Sequence, residues 1–211
     1  MMKRILFSLC FCALFFSCNS DDDSNAESQS NFYGLQIGNS WNYKIYHGNS
    51  MNQDLDYYGV NQDVSVVAIE DIFDDTYYKL SIVTSGVENN NFHIPNGETI
   101  EFRRIEGGTL LNEMNQIVFI NNDFTERLIS EDSWGHIFNQ TLEELATITV
   151  DAGEFTCTEM LIYAKLPDGE QLNGLDHYYY ADGIGLVSSS VSFVSSGQVL
   201  YKTILNSYEI Q

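Results

Sequence analysis

TITVDAGEFTC, residues 147–157, and HYYYADGIGLV, residues 177–187, are the two segments that decide the fold. Both are built of β-branched and aromatic residues, which favour strands, and of glycines, which supply the positive φ of tight turns. A loop around Pro167-Asp168-Gly169 separates them. The stretch from Thr147 to Val187 is therefore predicted to run strand, tight turn, strand, loop, strand, tight turn, strand.

Alternation of apolar and polar residues continues outside this stretch. Trp41, Tyr43 and Ile45 alternate with polar neighbours, which predicts a strand with one buried face. Gly107-Gly108, between two further strand-like segments, is a hairpin signal. No segment has a sustained helical period. We therefore expect an all-β fold, namely a curved antiparallel sheet, half-barrel or barrel-like, with little helix.

Two further segments have patterns that need separate interpretation. The segment from Asp123 to Glu144 has no clear period, and Thr141-x-x-Glu144 could cap a single helical turn. In the segment from Val187 to Phe193, every second residue is a serine, at Ser188, Ser190 and Ser192. This alternation predicts a half-buried strand with its mostly hydrophobic face inward and its serine face in solvent.

Length and charge limit the classes of protein. The chain has 211 residues and is 44% hydrophobic, enough for one domain with a substantial core. Its 30 acidic residues exceed its 9 basic ones, for a formal net charge of −21 at pH 7. Such a chain repels nucleic-acid phosphates and anionic lipid surfaces, so we expect no nucleic-acid partner.

The N-terminus has the pattern of a secretion signal. Lys3 and Arg4 precede the apolar run from Ile5 to Phe16, which at about a dozen residues is too short to span a bilayer. Two of the four cysteines belong to this leader and Cys18 ends it. Cys157 is then the one cysteine in the body of the chain, and its apolar surroundings predict a small buried hydrophobe rather than a nucleophile.

Leu14-Phe-Phe-Ser-Cys18 resembles a bacterial lipobox, although Phe at two of its positions departs from the commonest form. The resemblance implies transfer of diacylglycerol to the Cys18 thiol, cleavage before Cys18 and acylation of the new amine. It divides the chain into a signal peptide at 1–17, a lipidated, flexible acidic tether at 18–30 and a single β-rich domain at 31–211. Cleavage by an ordinary signal peptidase is the alternative.

An acidic run follows the lipidation site directly, with Asp21, Asp22 and Asp23 in Asn19-Ser-Asp-Asp-Asp-Ser24. It resembles the export signal of surface lipoproteins in the Bacteroidota, which lies just after the lipidated cysteine. The resemblance implies a lipid-anchored protein of the outer membrane that faces the cell surface. The alternative is a solvated acidic spacer.

Three motifs in the domain resemble a broad group of secreted and lipid-anchored bacterial β proteins. They are Gly38-x-x-Trp41-x-Tyr43, Val150-x-Ala-Gly-x-Phe-x-Cys157 and Tyr179-Tyr-Ala-x-Gly-Ile-Gly-Leu-Val187. The group consists of uncharacterised lipoproteins of the Bacteroidota. The resemblance implies a curved antiparallel sheet, somewhat like the half-barrels of lipoprotein carriers, and implies no activity.

No motif for catalysis, cofactor binding or metal binding is present in the sequence. The four histidines are scattered without the spacing of metal ligands, and we expect them in exposed loops. The serine-rich segment contains no Gly-x-Ser-x-Gly elbow, and Gly107-Gly108 lacks the lysine and helix of a phosphate-binding loop. We therefore expect neither enzymatic activity nor a cofactor nor a metal site.

Aromatic residues are the remaining candidates for a site. In a strand they point alternately to the two faces, so one face of the sheet could present Trp41, Tyr43, Tyr178 and Tyr180 to a ligand. Core packing of the same side chains is the alternative. We expect a surface or periplasm-facing outer-membrane lipoprotein that binds a small apolar or glycan ligand, or a protein partner. The alternative is a structural or accessory subunit that docks on another outer-membrane protein by a sheet edge.

Overall fold

The computed structural model describes residues 31–48, 54–87 and 95–211 of the chain. The predictions for the signal peptide, for Cys18 and for Asp21–Asp23 lie outside the described residues. The described chain forms thirteen strands in one antiparallel sheet. The strands are β1 Ser40–Gly48, β2 Leu55–Ile72, β3 Asp75–Ser85, β4 Gly97–Glu106, β5 Thr109–Asn112, β6 Ile117–Ile120, β7 Arg127–Asp132, β8 Gly135–Thr141, β9 Ala146–Val150, β10 Gly153–Lys165, β11 Gln171–Ala181, β12 Gly185–Ser192 and β13 Val199–Glu209.

The sheet follows the order β6-β5-β4-β3-β2-β1-β13-β12-β11-β10-β8-β7, with β9 paired to β10 outside this path. It is strongly curved and open, not closed into a barrel. Phe119 of β6 contacts Tyr180 of β11 with ring centroids 4.1 Å apart, although seven strands lie between them in the sheet. The prediction of an all-β, curved antiparallel sheet is therefore confirmed. None of the described residues belongs to a helix that is long and apolar enough to cross a bilayer.

The N-terminal segment, residues 31–38, fills the inside of this curve. Phe32 and Tyr33 are buried, at 9% and 3% exposure. The Tyr33 hydroxyl donates to the carbonyl of Gly108 in the β4–β5 turn, and Gly183 N in the β11–β12 turn donates to Phe32 O at 3.1 Å. The segment therefore ties the two halves of the sheet together, and the main hydrophobic core forms around it.

The opposite face of the sheet has a smaller core, covered by the β9–β10 hairpin. Ala181 follows Tyr180 in β11, so the two side chains point to opposite faces, and Ala181 packs with Cys157 in this outer core. The tip of the hairpin is held by an ion pair, with Lys44 Nζ 2.7 Å from Asp151 Oδ2. The outer core therefore contains the body's one cysteine.

Burial keeps the Cys157 thiol neutral. The residue is 0% exposed and burial raises its pKa to about 11. Cys157→Ser is expected to lower the free energy of unfolding by about 1–2 kcal/mol, because it places a hydroxyl in an apolar site. Urea denaturation measures this change. Rapid reaction of native Cys157 with a thiol reagent at neutral pH would contradict its burial.

The expected helical turn at Thr141 is wrong. Residues 142–145 are not helical, and the Thr141 hydroxyl donates to Ile120 O at 2.8 Å instead of capping a helix. The preceding segment, which has no clear period in sequence, forms the β7–β8 hairpin. Both faces of β7 are partly solvated because it is an edge strand, and an edge strand needs no alternation of apolar residues.

The expected solvent-exposed serine face is also wrong. Ser188, Ser190 and Ser192 are buried, at 2%, 8% and 9% exposure. A β-bulge at Val187 gives β12 one more residue than β11 at this point, and such a one-residue shift exchanges the two faces of a strand. Val187 consequently packs in the outer core, whereas Ser189 lies on the concave face.

Candidate ligand-binding cleft

A cleft with a volume of about 490 Å³ lies on the concave face of the sheet. Its lining comes from the N-terminal segment, from β1–β6 on one side and from β11–β13 on the other. About half of the lining is apolar, including Leu35, Trp41, Val64, Leu80 and Leu186, and the rest is polar. The volume is that of a pocket that holds a small molecule.

Trp41 and Tyr43 line the cleft with their rings, while their polar groups bond to the main chain. Trp41 Nε1 donates to Ile184 O at 2.8 Å, and the Tyr43 hydroxyl donates to Leu186 O at 2.9 Å. Burial, and to a lesser degree the nearby Tyr180, raises the pKa of Tyr43 well above its usual value. The two side chains therefore serve both the core and the wall of the cleft, and their polar groups are already used.

Tyr180 is different, because its hydroxyl makes no hydrogen bond to any described residue. The residue is 7% exposed, lines the cleft and packs its ring against Phe119 and Tyr33. Burial raises its pKa, so the hydroxyl remains protonated. A hydroxyl on the wall of the cleft without a partner among the described residues can donate to, and accept from, a molecule in the cleft.

Arg103 and Glu101 of β4 form the opposite polar wall. They are two residues apart in one strand, so both point to the concave face. Arg103 Nη2 bonds to Glu101 Oε2, and Nη1 donates to Phe102 O at 2.9 Å. The exposures of the two side chains are 17% for Arg103 and 36% for Glu101. Burial is the main cause of the raised pKa of Tyr180, while Arg103 lowers this pKa and Glu101 raises it; all three residues line the same cleft.

Tyr178 lies on the same face as Tyr180 and packs against the main core, but it is not part of the cleft lining. Of the four predicted ligand-facing aromatics, Trp41, Tyr43 and Tyr180 line the cleft. Contact with a ligand stays a prediction for all four residues.

Arg103 and Glu101 are not among the site residues predicted from the sequence. Their signal was the alternation Thr99-x-Glu101-x-Arg103, which places three polar residues on one strand face. Polar residues in alternation are ordinarily assigned to the solvent face of a sheet. Only the curvature of the sheet turns this face toward Tyr180.

A second groove lies beside the N-terminal segment. Its volume is about 610 Å³, and its described lining includes Asn31, Ile37, Ile69 and Tyr78 but no charged side chain. Asn31 is the first described residue, so the groove borders the end of the described segment. It lacks the convergent polar groups that orient a ligand, and the cleft is therefore the stronger candidate site.

The expectation that the histidines lie in exposed loops is wrong for the three that the structure describes. His47, His136 and His177 all lie in strands. His177 Nδ1 lies 2.6 Å from Glu159 Oε1, and Tyr179 stacks on its ring on the outer face. Among the described residues there is no group of three or more His, Cys, Asp or Glu side chains that could hold a metal ion.

No protein-family model and no curated protein sequence matches the chain. Two solved structures are similar to it. One is assigned as an exported protein with a YmcC-like fold from Bacteroides fragilis, with 13% identity and a TM-score of 0.51 over 84% of this chain and 98% of that chain. The other is assigned as a lipoprotein from Parabacteroides distasonis, with 13% identity and a TM-score of 0.48; this match also covers 84% of this chain and 98% of that chain.

The similarity to the Bacteroides fragilis structure shows that the two chains share a fold. At 13% identity it carries no information about activity or ligand. The similarity to the Parabacteroides distasonis structure is too weak to add to this. The motif resemblance to uncharacterised lipoproteins therefore stays a prediction.

Proposed function

We propose that this protein is a lipid-anchored protein of the outer membrane whose concave cleft binds a small amphiphilic molecule. The observation that carries the proposal is Tyr180, a mostly buried residue that lines a cleft of about 490 Å³ and whose hydroxyl bonds to none of the described residues. This hydroxyl is free to form a hydrogen bond with a molecule that enters the cleft.

The proposed location comes from the leader and from the sequence that follows it. The lipobox-like end at Cys18 supports lipidation, and Asp21–Asp23 support export to the cell surface. The Bacteroides fragilis protein of similar fold is assigned as exported, which is consistent with a place in the cell envelope.

The proposed function is binding without catalysis. The cleft residues that carry ionisable groups or hydroxyls are Tyr33, Tyr43, Thr84, Thr99, Glu101, Arg103, Tyr180, Ser189 and Thr203. None of them forms a nucleophile–base pair of the kind that covalent catalysis uses, since Arg103 and Glu101 bond to each other and the Tyr43 hydroxyl bonds to the main chain. Arrangements of this kind position a ligand rather than transform it.

Docking by a sheet edge stays the alternative prediction. The exposed edge strand β7 has a bulge between Leu128 and Ser130. Bulges of this kind interrupt the regular ladder that a partner strand would extend. The geometry of this edge therefore favours the cleft over strand addition as the functional surface.

The cleft can be blocked without disturbing the core. Thr99 is an exposed residue of β4 that lines the cleft, and Thr99→Trp is expected to fill its mouth. Native mass spectrometry of the full-length protein purified from its own host should detect a bound small molecule on the wild type and none on Thr99→Trp.

Ile100→Trp is the matched control, because Ile100 is the next residue of β4, is 40% exposed and points to the other face. This variant should keep the bound molecule at the wild-type occupancy. A wild type that carries no small molecule, or an adduct that survives in Thr99→Trp, would refute the proposed function.

A further inference from the structure

We propose that Glu101, Arg103 and Tyr180 select uncharged amphiphiles with a hydroxyl head group and reject carboxylates, with Glu101 as the specificity-determining residue. The inference rests on the proposed function of the cleft. It goes further in naming the chemical class of the ligand and the residue that discriminates.

The charge of the polar wall is already balanced. The Arg103 guanidinium bonds to the Glu101 carboxylate, so the pair has no net charge to offer an anionic head group. An entering carboxylate would lose hydration, gain the attraction of Arg103 and meet the repulsion of Glu101 at a similar distance. The strongly acidic chain, with 30 acidic and 9 basic residues, adds to this repulsion at long range.

The hydrogen-bonding groups that remain unused match a hydroxyl. Arg103 has five N–H donors, and its bonds to Glu101 and to Phe102 O leave donors free. The second carboxylate oxygen of Glu101 can accept a bond, and the Tyr180 hydroxyl can donate or accept. A ligand hydroxyl offers one donor and two acceptor sites, which complement the acceptor of Glu101 and the donors of Arg103 and Tyr180. An ionised carboxylate has no donor for Glu101.

The apolar part of the ligand has a separate place. Trp41, Leu80 and Leu186 line the cleft beside the polar wall; Trp41 and Leu80 are buried, and Leu186 is partly buried. The polar groups of Trp41 and Tyr43 bond to the main chain, so the rings present only apolar surface. A hydrocarbon chain or ring system fits this lining, and the hydroxyl at its end then reaches Tyr180 and Arg103.

The test uses two probes that differ in the head group alone, ω-bromoundecanol and ω-bromoundecanoate. The full-length lipidated protein is placed in phosphatidylcholine vesicles, at a pH at which the carboxylate is ionised. Bromine quenches tryptophan fluorescence on contact, so quenching of Trp41 in the cleft reports binding. The background Trp134→Phe removes the chain's other tryptophan, which is 45% exposed on the β7–β8 turn.

We expect the alcohol to bind at least about tenfold more tightly than the carboxylate, because the carboxylate is repelled by Glu101 and has no donor for it. Glu101→Gln removes the repulsion and leaves Arg103 uncompensated, so this variant should bind the carboxylate at least as tightly as the alcohol. Glu98→Gln makes the same change of charge on the outer face of β4 and should keep the wild-type preference.

The outcomes separate the inference from the proposed function. If the wild type binds the carboxylate as tightly as the alcohol, or if Glu101→Gln leaves the preference unchanged, the selectivity proposal is overturned while binding in the cleft stands. If neither probe quenches Trp41 of the wild type, both the proposed function and the inference that rests on it are rejected.

Discussion

Cys18→Ala is expected to abolish membrane anchoring of the protein. The apolar run Ile5–Phe16 is too short to span a bilayer, and residues 19–211 contain no other long apolar run. The acyl chains proposed at Cys18 would then be the whole attachment, and each buried CH₂ contributes roughly 0.8 kcal/mol to membrane binding. The acidic chain, with its net charge of −21, has no second affinity for an anionic membrane surface.

Detergent partitioning and the mass of the processed chain measure this effect. The variant should be either retained as the uncleaved precursor or released as water-soluble protein, whereas the wild type should enter the detergent phase. Replacing Asp21, Asp22 and Asp23 by Ala is the matched comparison: the lipid should remain, and protease added to intact cells should no longer reach the protein. A Cys18→Ala protein that stays membrane-bound and is processed like the wild type would disprove lipidation.

Gly185→Ala is expected to cause a large loss of stability, because it combines an unfavourable backbone conformation with a steric clash. Gly185 has φ +90°, and a Cβ atom there would lie 2.7 Å from Tyr33 O in the N-terminal segment. The left-handed conformation costs a non-glycine residue about 1–2 kcal/mol. The clash adds about 1–3 kcal/mol of overpacking, because relieving it moves the segment that ties the two halves of the sheet together.

Gly169→Ala is the matched control, since Gly169 has φ +91° and no atom within 4 Å of a Cβ there. It carries the conformational cost without the clash. One kcal/mol corresponds to about 2–4 °C in a domain of this size, so thermal denaturation followed by circular dichroism should show a shift for Gly185→Ala at least about twice that for Gly169→Ala. Equal shifts would mean that the N-terminal segment does not hold the fold together.

The strands and turns could be predicted where local chemistry dominates. In β1 the alternation of Trp41, Tyr43 and Ile45 matches their burial, because a strand buried on one face requires apolar residues at every second position. The β4–β5 hairpin follows its Gly107-Gly108 signal, and both glycines have positive φ. In each case residues that are neighbours in the sequence are sufficient to predict the element.

The errors come from interactions beyond the nearest neighbours. The serine face of β12 was assigned to solvent because the bulge at Val187 leaves no mark in the alternation of residue types. The β7–β8 hairpin was missed because β7 is a polar edge strand with no buried face. Thr141 resembles a helix cap in sequence, but its hydroxyl bonds to Ile120, which belongs to a different strand.

The class of fold, the succession of strands from Thr147 to Val187 and the pattern that predicts lipidation of Cys18 could all be read from the sequence, since each depends on residues close together in the chain. The tertiary structure alone decided that a cleft exists and what its polar groups are. Arg103 and Tyr180 lie in strands β4 and β11, and the curvature that brings their side chains to one cleft is summed over all the strands between them. No local sequence pattern predicts this accumulated curvature, so the residues proposed to select the ligand could be identified only in the folded molecule.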